Sequence, residues 1–132
     1  KNEMKFDPKA TFIIESVEKP GYILGVKEGS EYDTTPQLKL VKQEEKKNKK
    51  NEWQFDDGCM RNAYFQKVVR ITKEGHVILS NEPTSKWAFD GRHFNLYGKG
   101  TVLSVDEGKD TISCHTNYSK KRQRWIIKPP SY

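Results

Sequence analysis

One short unit recurs three times along the chain: Asn51-Glu52-Trp53-Gln54-Phe55, Ser85-Lys86-Trp87-Ala88-Phe89 and Gln123-Arg124-Trp125-Ile126-Ile127. In each copy an apolar side chain follows the tryptophan by two residues, which at the two-residue period of a β-strand puts both on one face. Trp53, Trp87 and Trp125 lie 34 and 38 residues apart, and 43 residues separate Ala10 from Trp53. A near-constant period of this length marks a structural repeat and restricts the chain to folds made of like units.

Two copies end in an Asp-Gly pair, Asp57-Gly58 and Asp90-Gly91, the composition of a tight turn into a following strand. With these as boundaries, each copy takes four short apolar strands. The first holds Thr11 to Val17, Tyr22 to Val26, Gln37 to Val41 and Glu52 to Phe55. The second holds Cys59 to Tyr64, Lys67 to Thr72, His76 to Leu79 and Lys86 to Phe89. The third holds His93 to Tyr97, Thr101 to Val105, Thr111 to His115 and Arg124 to Ile127. Alternation is clearest in Thr101-Val102-Leu103-Ser104-Val105, and no segment keeps a helical period. Three copies of four strands predict an all-β domain spanning residues 1–132, a β-trefoil with pseudo-threefold symmetry and repeats of about 10–58, 59–91 and 92–128. Six strands would close a short barrel and six would form hairpins over one end, leaving no open edge and allowing a monomer. A β-sandwich is the architectural alternative, because short strands at regular spacing also suit it.

At 132 residues there is room for one core. Only 33% of the residues are hydrophobic and 32% are charged, so the apolar side chains have to be concentrated where the repeat places them. The net charge of +6 attracts polyanions in general without naming one. Much of the excess sits in Lys46, Lys47, Lys49 and Lys50, expected to be a solvated loop between the third and fourth strands and the place where polyanions bind. No run approaches the roughly 18 apolar residues of a spanning helix. The chain opens at Lys1, which fits a processed secreted protein or a trimmed chain, and Asn117-Tyr118-Ser119 matches a glycosylation sequon. These two hints point to a secreted, extracellular protein. Cys59 and Cys114 are too few for a disulfide framework and leave one bond between them open.

The tryptophan unit, preceded in its copies by Gly21-Tyr22-Ile23-Leu24-Gly25-Val26 or Gly100-Thr101-Val102-Leu103-Ser104-Val105, resembles the Gln-x-Trp repeat of ricin-type β-trefoil lectins, over the span from about Ala10 to Lys128. Only Gln123-Arg124-Trp125 carries the literal motif, since Asn51 and Ser85 replace the glutamine elsewhere. The resemblance implies sugar pockets in which a carboxylate on the second strand accepts hydroxyl bonds, an aromatic after the third strand stacks on the pyranose and Asn or Gln completes the polar contacts. At the implied carboxylate position the chain has Gly25, Arg70 and Ser104, and at the stacking position Val41, no aromatic, and His115. The third repeat therefore keeps the best candidate set: Asp106, two residues beyond Ser104 on the same strand face, with His115, Asn117, Tyr118 and Gln123. Trp53, Trp87 and Trp125 themselves are expected to be structural core.

Other chemistry finds little footing. His76, His93 and His115 lie in no nucleophile or metal-ligand motif, and Cys114-His115 points to opposite faces of a strand. Asp56-Asp57 and Asp106-Glu107 sit beside Gly at expected turns, and Gly98-Lys99-Gly100 lacks the helix that would hold a phosphate. No cofactor, metal or enzymatic activity is expected. Two function classes follow: a glycan- or glycoprotein-binding module, and a protein-interaction trefoil, used as cytokines, inhibitors or actin-binding trefoils are, that has lost sugar binding and keeps a basic surface.

Overall fold

The computed structural model describes residues 7–27, 29 and 33–130. Its first four strands are β1 (Ile13–Ser16), β2 (Tyr22–Val26), β3 (Leu38–Lys42) and β4 (Trp53–Asp56). Next come β5 (Cys59–Asn62), β6 (Val68–Ile71), β7 (Val77–Ser80) and β8 (Trp87–Phe89), then β9 (Phe94–Leu96), β10 (Thr101–Val105), β11 (Ile112–Thr116) and β12 (Trp125–Lys128). Each segment expected from the sequence overlaps one strand; most strands begin a residue or two later than expected, and β3, β4, β7, β11 and β12 run one residue past the expected end. Three antiparallel sheets result, ordered β12-β1-β2-β3, β4-β5-β6-β7 and β8-β9-β10-β11.

The fourth strand of one repeat thus pairs with the first strand of the next, and β12 returns to β1. The tryptophans close the remaining seams. Trp53 N–H donates to the Phe12 carbonyl at 2.9 Å, Trp87 N–H to Gly58 at 2.8 Å and Trp125 N–H to Arg92 at 2.8 Å, so each fourth strand also reaches the start of its own repeat. This yields a closed β-trefoil barrel rather than the two stacked sheets of a sandwich. The remaining strands cap one end, where β3, β7 and β11 touch one another. There Leu40 N–H donates to Asp110 O at 2.7 Å and Leu79 N–H to Pro36 O at 2.8 Å. Asp57 and Gly58 both have positive φ, 51° and 79°, the type I′ geometry that lets a two-residue loop match the strand twist between β4 and β5.

The core repeats with the chain. Ile14, Met60 and Phe94 project from first strands and Leu24, Val69 and Leu103 from second strands, all 0–1% exposed. Cross-strand partners of the second set are Leu40, Leu79 and Cys114. Cys114 therefore occupies the place that leucine holds in the other two repeats. Trp53, Trp87 and Trp125 are 0%, 1% and 1% exposed. Their indole N–H groups donate to Leu24 O at 3.0 Å, Val69 O at 3.2 Å and Leu103 O at 3.1 Å, satisfying a donor that burial would otherwise strand.

Candidate functional site

Because the indole bonds fix the second strand against the fourth, the residue two before each tryptophan faces the residue just beyond the bonded carbonyl. In the third repeat this meeting is Gln123 with Ser104, both 0% exposed. Gln123 Nε2 donates to Ser104 Oγ at 3.3 Å and Thr116 O at 2.8 Å, while its Oε1 accepts from Tyr118 N–H at 2.9 Å and Lys120 N–H at 3.3 Å. Both amide donors and both lone pairs are engaged within the protein, so Gln123 holds the 117–120 loop in place. In the second repeat Ser85 Oγ accepts from Ile71 N–H at 3.1 Å, and neighbouring Arg70 reaches Glu82 at 3.5 Å. In the first repeat a Cβ on Gly25 would come within 2.6 Å of Asn51 Oδ1 and 2.7 Å of Val41 Cγ2. The Asn51 and Val41 side chains fill the volume a carboxylate would need there.

Asp106 and His115 converge across the β10–β11 hairpin. Asp106 accepts bonds from the Ser113 hydroxyl and, at 2.5 Å, from the Thr111 hydroxyl. Ser113 Oγ lies 2.9 Å from His115 Nε2, which is 3.8 Å from Asp106 Oδ1. Ser104, Ser113 and His115 share the outer hairpin face because Leu103, Val105, Ile112 and Cys114 take the inner one. The row is accessible, with the His115 side chain 50% and the Asp106 side chain 28% exposed. Asp106 also borders a groove of about 390 Å3 shared with Lys19, Lys109 and Asp110. Asn117 is exposed, its Oδ1 accepting from Ser119 N–H at 2.7 Å, and Tyr118 is 68% exposed. Ser113 and Thr111 were missed from the sequence, although Ser113 is readable in retrospect as the cross-strand partner of Ser104.

A larger groove of about 510 Å3 opens at the first repeat, between the β2–β3 hairpin, the 48–51 turn and the β5–β6 loop. Lys27, Lys39, Lys42 and Lys50 line it together with Asn48, Glu44 and Phe65. Asn62, 0% exposed, positions the aromatic wall. Its Nδ2 donates to Lys50 O at 2.9 Å and its Oδ1 accepts from Tyr64 and Phe65 N–H, each at 3.0 Å. Tyr64 and Phe65 pack edge to face at 4.9 Å, and Lys50 Nζ sits 5.0 Å from the Tyr64 ring centre. Phe65 escaped the sequence reading because it belongs to the following repeat. The lysine run is not a formless loop: Lys49–Asn51 make a 3-10 turn capped by Asn48, with Lys46, Lys47 and Lys49 exposed.

Elsewhere polar groups serve the frame. Burial works to raise the Asp90 carboxyl, but bonds from the His93 and Arg92 N–H groups and from the His93 and Asn95 side chains outweigh it and hold the group below the usual Asp range. His93 Nδ1 is 3.1 Å from Asp90, and its Nε2 is 3.4 Å from Ser119 Oγ, tying the β8–β9 turn to the 117–120 loop. Cys59 and Cys114 are free thiols, and burial pushes the Cys114 thiol up to about 12. Among the described residues no three His, Cys, Asp or Glu side chains gather as a metal site would require, and no helix is long and apolar enough to cross a membrane.

No family model matches the sequence, nor does any curated protein. Solved structures do match. The C-half of an earthworm R-type lectin in complex with GalNAc is 18% identical, with a TM-score of 0.77, over 92% of this chain and 99% of that one. The mdaA-1 domain, a solution structure, is 18% identical with a TM-score of 0.82 over 99% and 96%. The Macrolepiota procera ricin B-like lectin in complex with lactose is 16% identical with a TM-score of 0.73 over 96% and 100%. Strand order, barrel closure and these likenesses agree: the chain has the β-trefoil fold of the ricin B-like lectins.

Proposed function

We propose that this chain is a carbohydrate-binding module without catalytic activity, and that its neutral-sugar contacts lie on the outer face of the β10–β11 hairpin. The observation that carries the reading is the accessible row Asp106, Ser113 and His115. Asp106 uses one lone pair on each oxygen for Ser113 and Thr111 and retains others for a pair of ring hydroxyls. His115 offers a half-exposed ring for the apolar C–H face, and Asn117 and Tyr118 flank it on the loop that Gln123 supports. Gln123 then acts by position and not by touching sugar. So few contacts suit a weak monosaccharide affinity, with Kd on the order of 1 mM, which tandem sites or longer glycans would raise. An extracellular setting belongs with this reading.

A protein-interaction role is the second reading. It is favoured by the exposed Tyr64, Tyr97, Tyr118 and Ile126, since tyrosine is enriched at interfaces. A glycan array probed with the native chain and with Asp106→Ala, each at low and high salt, separates the two. The sugar reading expects signals that survive high salt, because a shaped pocket is not screened, and that fall in the variant. An array silent at both salts leaves the protein-partner reading.

A further inference from the structure

The groove at the first repeat has a different chemistry from the hairpin face, and the lysine run at 46–50 does not account for it. Lys39 alternates with buried Leu38 and Leu40, so it projects outward opposite Gly25, and Lys27 continues the Gly25 face two residues on. Among the described residues no carboxylate pairs with Lys27, Lys39 or Lys42. Lys27, Lys39, Lys42 and Lys50 line this groove against one carboxylate, Glu44, an excess of positive charge that an anion would offset. Opposite them stands the half-buried Phe65 ring, fixed by the Asn62 bonds. Asn48 and Glu44 add an amide and one carboxylate at the same groove.

Resting on the carbohydrate-binding reading, the structure assigns this groove to a saccharide that carries a carboxylate or sulfate group. Lys27, Lys39 and Lys42, with Lys50 on the 48–51 turn, meet the anionic substituent. Phe65 takes the apolar face of the ring, and Glu44 and Asn48 take hydroxyls. The Glu44 carboxylate and the Asn48 amide suit hydroxyl donors, which an anionic saccharide carries beside its charge and a DNA phosphodiester backbone lacks. The volume of about 510 Å3 lies within the span of small-ligand sites, roughly 300–1,000 Å3. The family-like carboxylate pocket is closed here by Asn51 and Val41, so the anion site stands in its place on new residues.

The test uses the whole chain and four probes followed by amide shifts: 6′-sialyllactose for the carboxylate, a sulfated heparin disaccharide for the sulfate, lactose as the neutral sugar and oligothymidylate as the non-saccharide polyanion. The expected result is that at least one anionic saccharide moves amides at 25–27, 39–42, 48–50 and 65. The K39A/K42A variant, with an unchanged melting temperature, should weaken that response at least tenfold and leave any lactose response at 104–118 intact. F65L should weaken it as well, which charge alone does not require. Shifts confined to 46–49 that vanish in 0.5 M salt, equal binding of oligothymidylate, or a K39A/K42A variant that binds as the parent does would each overturn the assignment. Failure of both anionic saccharides while lactose still binds overturns the groove alone. Anionic binding without lactose binding keeps the groove and overturns the hairpin site, and silence from all three sugars overturns both.

Discussion

Each tryptophan makes two bonds that no neighbouring residue duplicates, one from the backbone to the start of its repeat and one from the indole to the second strand. Trp125→Ala therefore leaves a cavity and an unpartnered Leu103 carbonyl and should cost about 3–5 kcal/mol, read from a denaturant midpoint. Trp53→Ala and Trp87→Ala should cost about as much, since the three sites are equivalent. Gly25→Ala should destabilise by about 1–3 kcal/mol, because the new methyl meets Asn51 and Val41 inside contact distance. A neutral outcome would mean that Asn51 is free to swing away. With its thiol at about 12, Cys114 should resist alkylation in the native chain at pH 8 and react once the chain unfolds. The tryptophans were legible in the sequence because their motif is local. The reason for Gly25 was not: the group that excludes a side chain there belongs to Asn51, on a different turn.

Strand positions were legible for the same reason, since alternation and Asp-Gly turns act over a few residues. What covers a strand is set by its neighbours in space. The β5–β6 loop delivers Phe65 to a groove of the preceding repeat, and only the Asn62 bonds to Lys50, Tyr64 and Phe65 reveal it. The β1–β12 seam has its own electrostatic signature. Lys128 lies 2.5 Å from Glu15, and this bond, with one from Gly21 N–H, holds the Glu15 carboxyl below its usual range against the opposing effect of burial. A carboxyl lowered in the folded state contributes stability above its unfolded pKa and loses it as pH falls through the folded value. Urea midpoints should accordingly fall on acidification below the ordinary glutamate range, and Glu15→Gln should flatten that part of the profile. The lysine turn belongs to this scale too. Replacing Lys46, Lys47 and Lys49 by Ala should lower the salt needed to elute the protein from heparin, with the melting temperature changed by no more than a degree or two, because exposed substitutions usually fall within about 0.5 kcal/mol.

At the scale of the molecule, closure of β12 on β1 turns three weakly apolar repeats into one barrel, and most charged side chains are left on its surface, with Glu15 and Glu52 buried. That the chain would close this way followed from the period of the tryptophans. Where it binds did not, because equivalent positions in the three repeats carry different chemistry: a filled floor at Gly25, an ion pair at Arg70 and a buried hydroxyl at Ser104. Only the third repeat then adds an accessible carboxylate on the same face, at Asp106. The central claim, that this face takes a neutral sugar, is tested most directly by titrating the native chain and Asp106→Ala with lactose and GalNAc while following amide shifts residue by residue. The account predicts shifts centred on residues 104–106 and 113–118 that saturate in the millimolar range and collapse in the variant. Shifts centred on the first or second repeat, or an Asp106→Ala chain that binds as tightly as its parent, would contradict it.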